Sequence, residues 1–131
     1  MANLIMQETK NTPYVFCDER GNVIIEGRSF PENPFEFFEP IVSWIKTYNG
    51  ETITMHIKLE YFNTSTCKHL LALLQIVSRK INSEEYIVNW YYEEEDEDAL
   101  EIGQHYSRAV KTHFNFIEFK HEERRILSST N

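Results

Sequence analysis

Residues 53–81, ITMHIKLEYFNTSTCKHLLALLQIVSRKI, change period once, and that change limits the folds open to this chain. In the first part Ile53, Met55, Ile57 and Leu59 alternate with Thr54, His56 and Lys58, the period of two of a strand with one apolar face. In the second, Leu70, Leu73, Leu74, Val77 and Ile81 recur at helical spacing, predicting an amphipathic helix of about four turns. A further apolar run, EYIVNWYY, follows. Strand, helix and strand in that order imply a crossover connection and a helix packed on a sheet.

The flanks extend the pattern. YVFCDERGNVIIEGRSF reads as an antiparallel hairpin, with strands near Tyr14–Cys17 and Val23–Gly27 around a turn where Gly21 and Asn22 tolerate positive φ. In PENPFEFFEPIVSWIKTYNG, Asn33 before Pro34 marks a helix entry. Pro40 then predicts a short turn followed by a helix from about Glu39, with Phe38, Ile41, Val42 and Ile45 on one face and Asn49-Gly50 as its end. After the acidic run 93–98, Ala99, Ile102, Gly103, Tyr106 and Val110 form a helical stripe, and FNFIEFKH suits a last strand. The expected fold is α/β: one domain over residues 1–131, in the order ββαβαβαβ, a mixed sheet with helices packed on it. Its core spans about 14–120, with frayed termini, the tail from Glu122 among them.

Composition narrows the function. The 131 residues are 41% apolar and 14% aromatic, enough for one core. With 13 basic against 21 acidic side chains the net charge is −8, a field that repels a phosphodiester backbone, so no nucleic-acid partner is expected. No window approaches the roughly 20 apolar residues of a membrane span, so no membrane insertion is expected. MANLIMQETK lacks the basic start and apolar run of a secretion signal, and Cys17 and Cys67 lack metal or redox spacing. The expectation is a reduced, cytoplasmic protein.

Chemistry is sparse. Four glycines provide no phosphate-cradling loop, and no nucleophile elbow or zinc-protease motif is present. The histidines (His56, His69, His105, His113 and His121) are scattered, and Cys67 and His69 at i, i+2 of a helix point apart. The run Glu93–Asp98 reads as an acid-rich helix start favoured by the macrodipole. A divalent-cation site built on Glu95 and Asp96 is disfavoured, since neighbouring acids diverge and the glycine of a cation loop is missing; docking to a basic partner is the other reading. No cofactor, metal site or catalytic group is expected, so the chain reads as a non-enzyme.

What remains is the join NTST. Asn63 or Thr64 serves as an N-cap, its side-chain oxygen accepting a helix N–H, worth about 1 kcal/mol. A phosphate on Thr64 would also meet the unpaired N–H groups and positive end of the helix, with Lys68 one turn on. The kinase has to be a separate protein.

Three segments, FPENPFEFFEPIVSWIKTY, LEYFNTSTCK and VNWYYEEEDEDALEIGQ, together resemble the SiaC family of bacterial regulatory phosphoproteins, over about Tyr14 to Phe119. The resemblance implies a small cytoplasmic switch controlled by reversible threonine phosphorylation. A GHKL-type kinase adds the phosphate and a PP2C-like phosphatase removes it. The bare form binds and activates a diguanylate cyclase (GGDEF), raising cyclic di-GMP and promoting biofilm behaviour. The family's modified threonine follows an Asn at the strand-to-helix join, which places it at Thr64, with Ser65 and Thr66 as lesser candidates. The partner surface is expected around Tyr61, Phe62, Asn63, Thr64, Ser65 and Lys68, and less so in the Phe-rich segment NPFEFFEP. The layout is also STAS-like. The alternative is therefore an anti-sigma factor antagonist in a partner-switching stress response.

Overall fold

The computed structural model describes residues 2–120. Strands β1 (Leu4–Met6), β2 (Tyr14–Cys17), β3 (Asn22–Ser29), β4 (Ile53–Phe62), β5 (Tyr86–Glu93) and β6 (His113–Phe119) lie side by side in chain order. The pairs β1–β2 and β2–β3 are antiparallel and the rest are parallel, so the sheet is mixed, as expected. Helices α1 (Pro34–Thr47), α2 (Thr64–Lys80) and α3 (Glu97–Ala109) fill the crossovers. Every crossover steps to the next strand in the same direction, and right-handed connections then put all three helices on one face. On that face Val23, Met55 and Val88 stand in register, as do Ile25, Ile57 and Trp90, and all six are buried.

The opposite face carries Ile24, His56 and Asn89 in register. The Asn89 amide lies 3.3 Å from His56 Nδ1, and Asn115 Nδ2 donates to Asn89 Oδ1 at 2.9 Å. Burial lowers the His56 pKa from its ordinary 6.5. Lys58 lies on this face too, as the alternation requires, yet it is buried. Its ammonium stands 4.7 Å from the Phe119 ring centroid and 5.7 Å from that of Tyr91.

Three local readings change. The amino-terminal segment is not frayed: Leu4 and Met6 pair with Cys17 and Val15, and Trp44 Nε1 donates to the Ala2 carbonyl at 3.2 Å. Three residues are too few to display a period, so β1 left no signal in the sequence. Pro40 does not divide its segment, because α1 runs unbroken from Pro34 to Thr47. A proline inside a helix costs about 3 kcal/mol. Phe37, Phe38, Ile41, Trp44 and Ile45 all reach the core only if the helix continues, each contributing roughly 1.5–3 kcal/mol. In the hairpin turn Gly21 alone takes positive φ, at +89°, where a Cβ would fall 2.0 Å from the Thr52 carbonyl oxygen. Asn22 instead opens β3, its N–H donating to Asp18 Oδ1. The predicted tail from Glu122 lies outside the described residues.

Candidate functional site

The NTST join lies at the carboxyl end of β4, the end of a parallel sheet where α/β proteins gather their sites. Asn63 leaves the strand with extended backbone, and it is the N-cap: its Oδ1 accepts from Thr66 N at 3.0 Å. Its own N–H donates to the Ser29 carbonyl at 3.1 Å, tying the cap to β3. The three hydroxyls that follow have different fates. Thr64 is exposed at the first helical position, and Ser65 is half-buried. Thr66 is completely buried, its Oγ1 donating to the Ser29 carbonyl at 3.1 Å and sharing a 2.9 Å hydrogen bond with Ser29 Oγ. Of the three, Thr66 is thus a structural pin and Thr64 the side chain turned to solvent.

The surroundings are held firmly. His69 stacks on Phe38 with ring centroids 5.5 Å apart, and its Nδ1 lies 3.0 Å from the Ser65 carbonyl. Tyr106 on α3 donates its hydroxyl to the Cys67 carbonyl at 2.6 Å, linking the first turn of α2 to the neighbouring helix. Burial raises the pKa of the Tyr106 phenol and the Cys67 thiol, and pushes the Cys17 thiol up to about 12, with Asp18 adding to the effect. Neither thiol is thereby prepared as a nucleophile.

Lys68 is exposed one turn beyond Thr64, and Tyr61 is half-exposed just before the cap. Phe62 turns inward, edge-on to Trp90. In the Phe-rich segment Phe37 and Phe38 are core and Phe35 is exposed. Two hollows flank the join. A groove of about 560 Å³ runs between α2 and α3 past Cys67, Lys68, Leu71, Glu101 and His105. A smaller hollow of about 200 Å³ is bordered by Glu60, Tyr61, Phe62 and Asp96. Asp98 and Ile102 line both, so the two adjoin.

The acidic run forms the start of α3. Asp96 caps α3, accepting from Ala99 N at 3.0 Å, while Glu97 and Asp98 occupy the first turn. Among the described residues no group of three or more His, Cys, Asp or Glu side chains could hold a metal ion. Nor is any described helix long and apolar enough to cross a membrane. A larger concavity, about 680 Å³, lies at the far end of α2 by Arg79, Lys80, Asn82, Ser83 and Lys111, distant in sequence from the join.

Sequence reasoning did not find Ser29 or the groove-lining Leu71 and Ile102 as part of this site. Ser29 reaches Thr66 only through the β3–β4 register. The burial of Thr66 had a visible signal, since Thr66, Leu70, Leu73 and Val77 form one stripe.

A model of SiaC family regulatory phosphoproteins matches residues 6–119, from β1 to the end of β6. The chain belongs to that family. A protein of Pseudomonas aeruginosa strain UCBPP-PA14 is 23% identical over 128 residues, covering 94% of this chain and all of its own. SiaC of Pseudomonas aeruginosa has the same fold, with a TM-score of 0.81 at 22% identity, covering 91% of this chain and all of that one. A crystal structure of the diguanylate cyclase SiaD in complex with its activator SiaC, from the same organism, aligns equally well (TM-score 0.81, 22% identity, 88% of this chain and 99% of that one).

Proposed function

We propose that this SiaC family member is a non-enzymatic, cytoplasmic switch in which phosphorylation of Thr64 gates binding to, and activation of, a diguanylate cyclase. A GHKL-type kinase adds the phosphate and a PP2C-like phosphatase removes it. The observation that carries the site is the contrast within one turn: Thr64 is exposed at the capped start of α2, whereas the Thr66 hydroxyl is sealed against Ser29. Family membership supports the phosphoprotein role, and the complex of the Pseudomonas homologue with its cyclase supports the kind of partner.

A phosphate on Thr64 adds about 1.5–2 negative charges beside the open N–H groups of the first turn, within reach of the exposed Lys68. It changes the surface at the join and leaves the core untouched, as a binding switch requires. The contact surface then comprises Tyr61, Asn63, Thr64, Ser65 and Lys68, with exposed Tyr61 as its aromatic anchor and the inward-turned Phe62 supporting it from beneath. Incubation with the cognate kinase and ATP, followed by peptide mapping, tests this. One phosphate on Thr64 is expected, lost in Thr64→Ala. Label on Ser65 or elsewhere that persists in Thr64→Ala refutes the assignment.

A further inference from the structure

The groove between α2 and α3 has a chemistry that points to its occupant. Whereas α1 packs closely on α2, α2 and α3 approach each other much less. Their link at this end is the Tyr106–Cys67 hydrogen bond, which leaves Leu71 on one wall and Ile102 on the other half-exposed to each other. The walls are the side chains of two helices whose backbone groups are already paired internally. They therefore offer nothing to the backbone of an extended peptide, and they suit a third helix laid ridge into groove. The charged groups lining the groove and the adjoining hollow are Glu60, Asp96, Asp98 and Glu101, against Lys68 alone.

We infer that this groove seats one amphipathic helix of the partner protein, its apolar stripe on Leu71 and Ile102 and its basic side chains facing Asp98 and Glu101. This rests on the reading that the partner docks beside Thr64, and it specifies what part of that partner does so. From Asp98 to His105 the wall is two turns of α3, about 10 Å long, so three apolar residues at i, i+3 or i+4, and i+7 fill it. Thr64 stands in the chain between Phe62, which borders the small hollow, and Cys67 and Lys68, which line the groove. Because the rim is already negative, an added phosphate does not release a basic helix by repulsion. It acts by its bulk, one turn from Cys67 and Lys68 of the groove wall.

The test uses the full chain and two stapled peptides sharing one leucine stripe, one edged with lysine and the other with glutamate. Cys67 lines the groove and Cys17 is buried, so labelling of Cys67, run at alkaline pH to offset its raised pKa, reports occupancy. With the lysine peptide at ten times its Kd, maleimide labelling of Cys67 slows about tenfold, and the glutamate peptide gives no protection. The exposed pair Asp98→Lys/Glu101→Lys, which leaves the core alone, reverses that preference, while Glu84→Lys/Glu85→Lys in the distant 3-10 turn does not. No protection by the lysine peptide, or protection unchanged in the Asp98→Lys/Glu101→Lys chain, overturns the inference. The same chains are then tested against the cognate cyclase. A cyclase that binds all of them equally overturns the groove as its seat and leaves the Thr64 switch standing. Peptide selectivity without any cyclase binding upholds the groove and refutes the cyclase reading.

Discussion

Thr66→Val isolates the contact that fixes the start of α2. The substitution keeps the volume and removes the hydroxyl, so no cavity forms. The hydrogen bond to the Ser29 carbonyl disappears, although that carbonyl still accepts from Asn63 N. The Ser29 hydroxyl, completely buried, loses the Thr66 oxygen. A lost neutral hydrogen bond costs about 0.5–1.5 kcal/mol and a stranded buried hydroxyl about 1–3 kcal/mol, so about 2 kcal/mol in total is expected. For a chain of this length that lowers Tm by about 6–10 °C, or the urea midpoint by about 1 M at a slope near 2 kcal/mol per M. Ser29→Ala alone should cost less, because the Thr66 hydroxyl keeps its carbonyl acceptor. The double variant Ser29→Ala/Thr66→Val strands no polar group and should be less damaged than the sum of the singles by about 1 kcal/mol. Urea melts of the four chains decide. A Thr66→Val chain as stable as the parent, or strictly additive effects, refutes the pinning role and reopens Thr66 as a phosphate acceptor.

Two further outcomes follow from the core and from the face without helices. Gly103→Ala should destabilise although alanine is the better helix former by about 1 kcal/mol: its Cβ would lie 2.5 Å from Trp90 Cδ1 and Nε1. Trp90 is held by its hydrogen bond to the Ala99 carbonyl and by the Phe62 and Tyr106 rings, so overpacking of about 1–3 kcal/mol should prevail, and a raised Tm would contradict this. His56 has a folded pKa below its unfolded 6.5, so its contribution is fully present above pH 6.5 and is lost as pH falls through the folded value. The loss of stability between pH 7 and 5 should be smaller in His56→Gln; equal slopes in the two chains would show that His56 does not titrate in this way.

Much of the architecture was legible because it is written in periods. The alternation 53–59 and the helical stripe 70–81 are long enough to show their spacing, and from them the crossovers and the mixed sheet follow. What escaped depends on partners distant in sequence. Leu4–Met6 is a strand only because β2 is beside it, and α1 continues through Pro40 only because a core waits beyond. Lys58 reads as a surface residue until the rings of Phe119 and Tyr91 close over its ammonium. At the join, sequence left the cap open between Asn63 and Thr64 and ranked three hydroxyls without knowing their directions. The register of β3 against β4 separates them, by carrying Ser29 to Thr66. The groove was invisible, since it depends on how far α2 stands from α3.

Strand order along the sheet repeats strand order along the chain, and this bears on how the molecule is made. No strand has to slip between two neighbours that are already joined: Val23 meets Met55, Met55 meets Val88, and Val88 meets Phe114, each closure spanning one helix. During synthesis every new αβ unit finds its docking edge already in place. The sheet can grow from one side as the polypeptide leaves the ribosome, with β6 sealing it last.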